Sequence, residues 1–295
     1  MKTLQGKVIV ITGAASGIGR ALALALAAKN VNLLLADLNE AGLQTTAELA
    51  RAAGAGAGGA GSSGSAKGTQ VLTHVTDTGS EAAIFALADF CKAHFGAADV
   101  VVNNAGVSLV SSVEQLKTDD AQWLMNINFW GVVHGCRAFL PQLKMRPESL
   151  LVNVSSIFAM VSIPTQSMYN ASKAAVRGFS DALRQELRDG PVQVLCVHPG
   201  GIQTNIANNA RMSDLSLIEL TVPQLKQNFL QNAHTTPVEA AQAIVKAIEG
   251  GKTRLMIGAD AKIMDGLYRL WPAKASGWLT QLSRRQRDKY KSKTT

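Results

Sequence analysis

The sequence has little of what disulfide scaffolds, metal centres and disordered chains require. It contains only three cysteines in 295 residues, namely Cys91, Cys136 and Cys196. Their number is odd and their spacing fits no metal site, so the sequence predicts reduced thiols in a cytosolic protein. Charged residues make up 17% of the chain against 47% hydrophobic residues. This composition is typical of a globular protein and excludes a disordered one.

Long apolar runs are also absent. No stretch approaches the roughly 18 consecutive apolar residues that a transmembrane helix needs. Residues 1–6 lack the charged, apolar and cleavable segments of a signal peptide, because the apolar run Val8–Ile11 leads directly into a glycine-rich turn. The sequence therefore predicts a cytoplasmic localisation.

Basic charge is concentrated at the C-terminal end. Residues 260–295 carry nine Lys or Arg against three Asp, and so account for +6 of the net charge of +8. Apolar spacing on either side of Pro272 predicts two short amphipathic helices, followed by the basic run 284–293. This tail could contact a membrane surface or an acidic partner. The favoured interpretation is a helix that covers apolar surface of the protein itself or of a sister subunit. Nucleic-acid binding is not expected, since the basic run contains a single aromatic residue.

The first motif is an apolar run, a glycine turn and a helix. Residues 7–11 predict a buried parallel strand, and an alanine- and leucine-rich helix is predicted over residues 20–29. The turn between them contains Gly13, Ser16, Gly17, Ile18 and Gly19. Glycines let the backbone approach a pyrophosphate, and a helix N-terminus offers unpaired N–H groups and a partial positive charge. A tight turn without a ligand is the alternative for this segment taken alone.

A second predicted strand, over residues 31–36, ends at Asp37. A carboxylate at this point can accept hydrogen bonds from both ribose hydroxyls of an adenosine, and it would repel a 2′-phosphate. NAD is therefore favoured over NADP, although NADP stays possible. A role for Asp37 as the N-cap of a helix that starts near Glu40 is the alternative.

Strands and helices alternate along the rest of the chain. Further strands are predicted over residues 71–75, 99–102, 150–154 and 192–197, and helices over residues 81–95, 120–143 and 169–188. This alternation predicts one doubly wound, Rossmann-type parallel sheet of the α/β class, with ligands at the carboxyl ends of the strands.

Three further segments complete the predicted domain organisation, in which residues 1–258 form the catalytic domain. The low-complexity residues 52–68 cannot bury enough side chain to offset their ordering entropy, and they predict a flexible surface loop. Residues 205–237 have poor periodicity and predict a mobile lid over the substrate. Residues 259–295 form the basic C-terminal extension.

Ser156, Tyr169 and Lys173 form a possible proton-transfer group. Tyr169 follows Ser156 by thirteen residues, and Lys173 follows Tyr169 at i+4, on the same face of a helix. A neighbouring cation favours phenolate and lowers the tyrosine pKa from its usual value of about 10. Tyr169 could then exchange a proton with a substrate oxygen near neutral pH. Taken alone, a Tyr and a Lys one turn apart are typical of an ordinary helix surface.

Together, these motifs resemble those of the short-chain dehydrogenase/reductase family over about residues 5–258. Asn-Asn-Ala-Gly at residues 103–106 resembles the motif after the family's fourth strand. Pro-Gly-Gly-Ile-Gln-Thr at residues 199–204 resembles the segment that holds the nicotinamide amide. The four catalytic positions of the family are matched by Asn128, Ser156, Tyr169 and Lys173.

The resemblance also implies which residues touch the cofactor. Besides the glycine turn and Asp37, they are Val75, Asn104, Tyr169, Lys173, Ile202 and Thr204. Neither the residue before Gly17 nor the residue after Asp37 is basic, which agrees with NAD. The family usually has Asp before the position of Val75, whereas this chain has His74, so a contact of His74 with adenine is left open.

The implied activity is reversible hydride transfer between a nicotinamide and a secondary alcohol or ketone. Ser156 is expected to stabilise charge on the substrate oxygen, and Tyr169 to exchange its proton. Lys173 is expected to lower the tyrosine pKa and to hold the nicotinamide ribose. Asn128 is implied to fix a water that links Lys173 to solvent; a packing role in its helix is the alternative.

Residues expected to line the substrate pocket are mostly apolar and favour an apolar substrate. They are Val107, Ser108, Ile157, Phe158, Met160, Gln166 and Met168, together with the segment 205–231. The helix that carries Tyr169 and Lys173 has the small residues Ala171, Ala174, Ala175 and Gly178. They agree with the family's tendency to form homodimers or homotetramers, although packing against the protein's own sheet would explain them equally well. A dinucleotide-binding regulator without turnover is the competing function.

Overall fold

The computed structural model describes residues 1, 3–57, 70–214 and 221–281. The strands are β1 (Val8–Thr12), β2 (Asn32–Asp37), β3 (Val71–Val75), β4 (Val100–Asn103), β5 (Leu109–Val110), β6 (Ser149–Val154), β7 (Val192–Pro199), β8 (Arg211–Met212) and β9 (Arg254–Ile257). The α-helices are α1 (Gly17–Ala27), α2 (Glu40–Ala57), α3 (Glu81–Phe95), α4 (Thr118–Met125), α5 (Gly131–Lys144), α6 (Ser167–Glu186), α7 (Val222–Asn232), α8 (Pro237–Glu249) and α9 (Ala259–Leu270). Residues 272–281 are also helical.

Within these residues, seven strands form one sheet in the order β3-β2-β1-β4-β6-β7-β9. Each neighbouring pair is parallel; Val10 of β1, for example, pairs with Leu34 of β2 and with Val101 of β4. The strand order reverses between β1 and β4, and a crevice at the carboxyl ends of the strands is expected at such a reversal. The predicted Rossmann-type α/β fold is thus confirmed.

Two apolar cores cover the two faces of this sheet. Ile9 and Ile11 of β1 pack into the core that includes side chains of α1, α2 and α8. Val8 and Val10 pack into the core that includes α3, α5 and α6. Burial on both faces explains why the strands are continuous apolar runs. Each fully buried Val, Leu or Ile contributes about 1.5–3 kcal/mol to stability.

The predicted loop at residues 52–68 begins too early. Residues 52–57 belong to α2, and residues 58–69 lie outside the described part of the chain. The prediction was wrong for these six residues because alanine has the highest helix propensity. The glycines among them each cost the helix only about 1 kcal/mol.

The helix predicted over residues 120–143 is interrupted by a π-helical turn. α4 ends at Met125, Asn126–Trp130 form the turn, and α5 begins at Gly131. Asn128 lies in the middle of the turn and is fully buried. π-Helical turns inside α-helices are often found at functional sites. The apolar spacing of the sequence does not reveal the interruption, because it is compatible with either kind of turn.

The segment predicted as a lid of poor periodicity, residues 205–237, contains regular structure. β8 pairs in parallel with β5 and forms a two-stranded sheet, and α7 begins with a capping box made by Thr221 and Gln224. The expected absence of periodic structure was therefore wrong for β8 and α7. Residues 215–220 lie outside the described residues, and the lid role stays a prediction.

The helices beyond β9 lie against the loop that follows β6. Ala261 of α9 and Ala275 join Met160 in one buried apolar cluster. The Ser276 hydroxyl accepts a hydrogen bond from the backbone N–H of Ser162 at 3.1 Å. These helices thus cover apolar surface of the protein itself.

The basic run 284–293 lies outside the described residues. In the parts of the chain that the structure describes, no helix is both long enough and apolar enough to cross a membrane.

Candidate active site

The predicted functional residues meet at one edge of the sheet. Gly13 follows β1, Asp37 ends β2, Val75 ends β3, Asn104 follows β4, Ser156 follows β6 and Ile202 follows β7. Because these strands are parallel, their carboxyl ends lie at the same edge. Tyr169 and Lys173 belong to the first two turns of α6.

The turn between β1 and α1 has the shape of a cradle. Gly13 and Gly17 have φ angles of +66° and +54°, which favour glycine. A Cβ on Gly19 would lie 2.1 Å from the Gly13 carbonyl oxygen. Ser16 precedes α1 without capping it through its side chain, and the Ile18 side chain packs against the apolar core. Backbone N–H groups at the start of α1 are thus left to face a ligand, and the turn fits a pyrophosphate.

Asn104 braces this cradle. Its side-chain amide donates to the carbonyl oxygens of Thr12 at 2.9 Å and of Gly13 at 3.2 Å. The Thr12 hydroxyl accepts hydrogen bonds from the backbone N–H groups of Asn104 at 3.1 Å and of Ala105 at 3.2 Å. Thr12 therefore connects the glycine turn after β1 to the Asn-Asn-Ala-Gly motif after β4. Sequence reasoning gave Thr12 no role; a hydroxyl residue at the end of a buried strand was the signal.

Asp37 ends β2, and its carboxylate reaches the cradle. Its Oδ2 accepts a hydrogen bond from the Ala15 N–H at 2.9 Å, and its Oδ1 accepts one from the Asn39 N–H at 2.9 Å. Asn39 is the residue that caps α2, since its side-chain oxygen accepts from the Gly42 N–H at 3.0 Å. The alternative in which Asp37 caps this helix is therefore wrong. Carboxylate oxygens have room for further donors, so Asp37 also fits ribose hydroxyls.

Val75 and His74 face different surroundings at the end of β3. Val75 pairs with Asp37 and is 48% exposed. The His74 Nδ1 atom lies 2.8 Å from the Thr76 hydroxyl oxygen, and its ring packs against Phe90 of α3 at 5.1 Å between ring centres. Burial lowers the pKa of His74, so its imidazole is neutral at pH 7. These contacts give His74 a packing role.

Tyr169 and Lys173 are both buried, with 9% and 3% of their surface exposed. The Lys173 ammonium donates a hydrogen bond to the Val154 carbonyl oxygen at 3.1 Å. It lies 5.9 Å from the centre of the Tyr169 ring. Burial lowers the pKa of Lys173 to about 8, because apolar surroundings disfavour its charged form.

Burial is also the main influence on the pKa of Tyr169. It raises the pKa of the phenol, and the neighbouring Ser156 hydroxyl acts in the opposite direction. The expected lowering of this pKa by Lys173 was therefore wrong, because the net shift is upward and burial is its main cause. The ammonium donates to the backbone of β6, and the phenol is enclosed by apolar side chains such as Phe158, whose ring meets the Tyr169 ring edge-on at 6.3 Å.

Ser156 caps the short 3-10 turn that follows β6, where its hydroxyl oxygen accepts a hydrogen bond from the Phe158 N–H at 3.1 Å. Its carbonyl oxygen lies 3.3 Å from Nδ1 of His198. Burial lowers the pKa of His198 to about 4. Because a carbonyl can only accept, the hydrogen of the neutral imidazole is assigned to Nδ1. Sequence reasoning missed His198, although it directly precedes the Pro-Gly motif.

Asn128 joins the loop after β4 to the catalytic helix. Its side-chain oxygen accepts from the Val107 N–H at 2.8 Å, and its amide donates to the Val107 carbonyl at 3.0 Å and to the Ser172 hydroxyl at 3.2 Å. A Cβ built on Gly106 would lie 3.3 Å from both the Asn128 oxygen and the Lys173 ammonium. Asn128 thus lies beside Lys173, and the water expected between Asn128 and Lys173 stays a prediction.

Apolar side chains surround Tyr169. The cluster consists of Val107, Leu109, Leu116, Trp123, Leu124, Met125, Phe158, Met168 and Ile206. It therefore contains three of the predicted pocket residues, Val107, Phe158 and Met168. The cluster combines the loop after β4, helix α4, the loop after β6 and the start of the predicted lid.

The other predicted pocket residues lie beside this cluster. Ile157 and Met160 pack into the neighbouring cluster that includes α9. Ser108 is buried, and its carbonyl oxygen accepts a hydrogen bond from the Arg211 N–H at 3.1 Å, which connects it to β8. Gln166 directly precedes α6.

The loop after β7 reaches the cradle. A Cβ built on Gly17 would lie 3.1 Å from the methyl carbon of Thr204. Ile202 is buried and forms a parallel β-bridge with Thr235. The Gln203 N–H donates to the Thr235 carbonyl oxygen at 2.9 Å. Thr204 thus lies beside the cradle, Ile202 is fixed by its pairing with Thr235, and their contact with a cofactor stays a prediction.

The three cysteines are free and buried. Burial raises the pKa of Cys91 and of Cys136 to about 12, and that of Cys196 to about 11. They are therefore protonated and unreactive at pH 7. Among the described residues, no group of three or more His, Cys, Asp or Glu side chains could hold a metal ion.

Comparison of the sequence with known families and proteins agrees with this geometry. The model of the family described as short chain dehydrogenase matches residues 7–214. SadH of Mycobacterium tuberculosis, which is described as an oxidoreductase, is 41% identical over 272 residues, 92% of each chain. Dehydrogenase/reductase SDR family member 7B of Rattus norvegicus is 32% identical over 257 residues, which are 86% of this chain and 74% of that protein.

Two solved structures are similar to the fold. A short chain dehydrogenase/reductase from Burkholderia phymatum, in complex with NAD, has a TM-score of 0.77 and 29% identity, and the match covers 92% of this chain and 96% of that one. An alcohol dehydrogenase from Thermococcus sibiricus, complexed with 5-hydroxy-NADP, has a TM-score of 0.70 and 25% identity, covering 86% and 96%.

Proposed function

The chain belongs to the short-chain dehydrogenase/reductase family of oxidoreductases, and we propose that it transfers a hydride between a nicotinamide dinucleotide and an apolar secondary alcohol or ketone. One observation carries this proposal. Ser156, Tyr169 and Lys173 are buried at the same edge of the sheet as a glycine cradle that fits a pyrophosphate.

When bound, the dinucleotide accepts or supplies the hydride. The Ser156 hydroxyl donates a hydrogen bond to the substrate oxygen and stabilises the charge that develops on it. Tyr169 exchanges a proton with the same oxygen. Because burial raises the pKa of Tyr169, the phenol is protonated at neutral pH, and this is the form that donates to a carbonyl during reduction.

Lys173 and Asn128 support this exchange. With a pKa of about 8, the Lys173 amine is close enough to neutral pH to change its protonation state. Asn128 lies beside it and also binds the Val107 backbone. We assign to Lys173 a contact with the nicotinamide ribose, and to Asn128 the water that connects Lys173 to solvent.

NAD is the preferred dinucleotide in this proposal. The Asp37 carboxylate is fixed by the backbone N–H groups of Ala15, within the cradle, and of Asn39, after β2. A carboxylate at the end of this strand is suited to bind the adenosine ribose. It would repel a 2′-phosphate on that ribose. The two solved relatives were found with NAD and with 5-hydroxy-NADP, so the family fold accepts both kinds of dinucleotide and the choice rests on local residues.

The substrate class follows from the surroundings of Tyr169. The side chains packed around the ring are apolar, and they include Leu109, Leu124 and Phe158. An uncharged aliphatic, aromatic or steroid-like alcohol or ketone would bury its apolar surface there. A charged substrate would lose its hydration without gaining a partner.

A homo-oligomer is also part of the proposal. Ala171 and Gly178 of α6 are exposed, whereas Lys173 and Val176 face inwards. Nothing lies within 4 Å of a Cβ built on Gly178. Ala171 and Gly178 therefore do not pack against the protein's own sheet, whereas Ala174 and Ala175 are half-buried. The two exposed residues leave an outer face on which a second subunit could approach closely. Sedimentation equilibrium tests this, and a monomer at micromolar concentration would contradict it.

The central test combines binding with turnover. Calorimetric titration with NAD and with NADP measures which dinucleotide binds, and a panel of apolar alcohols and ketones is then followed at the absorbance of the reduced nicotinamide. We expect tighter binding of NAD and turnover of at least one apolar compound. Tight NAD binding without any turnover would instead favour a dinucleotide-binding regulator.

A further inference from the structure

Asp260, in the first turn of α9, is hydrogen-bonded to the loop that follows β7. Its Oδ2 accepts a hydrogen bond from the Gly201 N–H at 2.7 Å. The preceding N–H of the loop, that of Gly200, donates to the Ile257 carbonyl oxygen at 2.9 Å. Two successive backbone donors of the loop are therefore held by β9 and α9, which lie 57 and 59 residues further along the chain.

The glycines around this carboxylate are explained by its position. A Cβ on Gly200 would lie 2.3 Å from each carboxylate oxygen of Asp260, and its three nearest atoms all belong to that carboxylate. A Cβ on Gly258 would lie 2.3 Å from Oδ1 of Asp260. The carboxylate thus fills the space in which these two side chains would stand. The φ angle of Gly200 is not positive, so the Asp260 side chain is what makes glycine necessary there.

The loop that Asp260 holds leads to the cofactor cradle. After Gly201, the loop is paired with Thr235 through the bridge at Ile202. It then brings the Thr204 methyl group to 3.1 Å from a Cβ position on Gly17. A displacement of Gly201 would therefore be transmitted to the residues that face the nicotinamide end of the cradle.

We propose that Asp260 is a positioning residue for nicotinamide binding, so that the first turn of α9 belongs to the cofactor site. The proposal rests on the proposed function, because it takes residues 200–204 as the segment that contacts the nicotinamide. Asp260 acts through the loop and not on the reacting atoms. A role confined to α9 is the competing explanation, since a carboxylate near a helix N-terminus also stabilises the helix.

The test compares NAD with ADP-ribose, which has the same adenosine and pyrophosphate but no nicotinamide. For the Asp260→Ala variant we expect NAD to bind about tenfold more weakly, the size expected for losing a hydrogen bond to a charged group. ADP-ribose should bind as it does to the wild-type protein, because the glycine cradle and Asp37 are untouched. Asp260→Asn keeps an acceptor oxygen and should recover most of the NAD affinity.

A matched control is available on the same helix. Asp265 pairs with Arg254 at 2.6 Å and with Arg269 at 3.1 Å, and the structure gives it no hydrogen bond to the loop. Asp265→Ala removes a carboxylate from α9 and is expected to lower the melting temperature. It should leave the ratio of NAD affinity to ADP-ribose affinity at the wild-type value.

A second pair of variants tests the contact itself. Gly200→Ala places a methyl group where the Asp260 carboxylate lies, and it should weaken NAD binding as much as Asp260→Ala does. In the Asp260→Ala background, Gly200→Ala should cause little further loss, because the obstructing carboxylate has been removed. This non-additivity separates a contact between the two residues from independent damage at each.

The outcomes distinguish this inference from the proposed function. A wild-type protein that binds neither NAD nor NADP would overturn both. If the wild-type protein binds NAD but Asp260→Ala changes nothing, or weakens NAD and ADP-ribose equally, the positioning role is wrong and the proposed function stands. Additive losses for Gly200→Ala and Asp260→Ala would also overturn it. If NADP proves to be the ligand, ADP-ribose carrying a 2′-phosphate replaces ADP-ribose.

Discussion

The Lys173 ammonium lies 5.9 Å from the centre of the Tyr169 ring, yet its hydrogen bond goes to the Val154 carbonyl oxygen at 3.1 Å. The two residues are one helical turn apart, as the sequence predicts. The lowering of the tyrosine pKa that this spacing suggests is not seen, because burial dominates the pKa of both groups. It raises the pKa of the tyrosine and lowers that of the lysine, so both groups are driven towards their neutral forms.

The first prediction concerns the proton that Tyr169 supplies. Tyr169→Phe removes the hydroxyl and keeps the ring that packs against Phe158. Turnover should fall by about 10²–10⁴-fold or more, the usual range for losing a general acid or base. NAD affinity and the melting temperature should change little, because the packing is preserved. Tyr268→Phe, in α9, is the control for loss of a tyrosine hydroxyl outside the proposed catalytic group. Wild-type turnover by Tyr169→Phe would rule out the assignment.

The second prediction concerns the pH dependence of stability. Lys173 has a pKa of about 8 in the folded protein against 10.5 for an ordinary lysine. Between these values the unfolded chain binds a proton that the folded protein does not. The free energy of unfolding should therefore rise with pH in this window, by up to about 1.4 kcal/mol per pH unit from this group. Below pH 8 Lys173 is protonated in both the folded and the unfolded protein. Its contribution to the free energy of unfolding then stays constant, at its least favourable value.

Lys173→Met isolates this contribution. The free energy of unfolding of the wild type minus that of the variant should increase from pH 8 to pH 10. Urea unfolding at several pH values measures it. The same difference for Lys246→Met, which removes an exposed lysine of α8, should stay nearly constant. A constant difference for Lys173→Met as well would mean that burial does not shift its pKa.

Sequence patterns succeeded where the deciding contacts are local. The helix over residues 81–95 was predicted with the bounds that the structure shows. Ser80 caps its first turn and Gly96 ends it at a φ angle of +77°, and both signals lie next to the helix in sequence. Apolar runs likewise predicted six of the seven strands of the sheet to within about one residue, except that β7 continues to Pro199, because burial on both faces requires such runs. The edge strand β9 was not predicted.

The patterns failed where distant residues decide the structure. The π-helical turn around Asn128 makes hydrogen bonds to Val107 and Ser172, which lie 21 and 44 residues away. The hydrogen bond of Asp260 spans 59 residues and belongs to no local motif. The protonation of Tyr169 depends on how much protein encloses the phenol, and spacing along a helix carries no information about enclosure.

The third prediction concerns the choice of dinucleotide. Asp37→Ser removes the carboxylate that would accept from the adenosine ribose, and with it the repulsion of a 2′-phosphate. NAD should bind about tenfold more weakly, as expected for a lost charge-assisted hydrogen bond, and NADP should bind better than it does to the wild type. Glu40→Gln removes the exposed acidic residue in the first turn of α2 and should leave both affinities unchanged. If Asp37→Ser prefers NAD over NADP as strongly as the wild type does, residues other than Asp37 determine the choice of dinucleotide.

The fourth prediction concerns the anchoring of the segment predicted as a lid. Arg211 of β8 forms an ion pair with Asp120 at 2.9 Å, and its guanidinium lies 3.8 Å from the centre of the Trp123 ring. Arg211 is about half exposed, so the ion pair itself contributes little, and stacking on Trp123 adds about 0.5–1 kcal/mol. Arg211→Ala should therefore raise the substrate KM roughly threefold, with kcat and NAD affinity nearly unchanged.

Arg211→Lys serves as the comparison for this contact. Lysine keeps the charge but cannot stack its head group as a planar guanidinium does. If stacking dominates, Arg211→Lys should resemble Arg211→Ala, and added salt should have little effect on the wild-type KM. A KM that rises with salt to the value of Arg211→Ala would assign the anchoring to the ion pair. An unchanged KM in both variants would show that β8 does not need this contact.

The fifth prediction concerns the buried polar network behind the cradle. A Cβ on Gly135 of α5 would lie 2.1 Å from the Asn103 side-chain oxygen. Asn103 donates to the Asn153 oxygen at 2.8 Å, and Asn153 donates to the Ser180 hydroxyl at 3.0 Å. Gly135→Ala would displace Asn103 and leave buried polar groups without partners, at a cost of about 1–3 kcal/mol for each group. The protein should lose several degrees in melting temperature.

The control for Gly135→Ala is a helical glycine with free space around it. Nothing lies within 4 Å of a Cβ built on Gly266 in α9, so Gly266→Ala should stabilise the protein by about 0.5–1 kcal/mol through helix propensity alone. The same substitution is thus expected to destabilise the protein at Gly135 and to stabilise it at Gly266. Since propensity favours alanine at both positions, a loss at Gly135 must come from the contact with Asn103. Stabilisation by both variants would mean that Asn103 can move aside without breaking its hydrogen bond to Asn153.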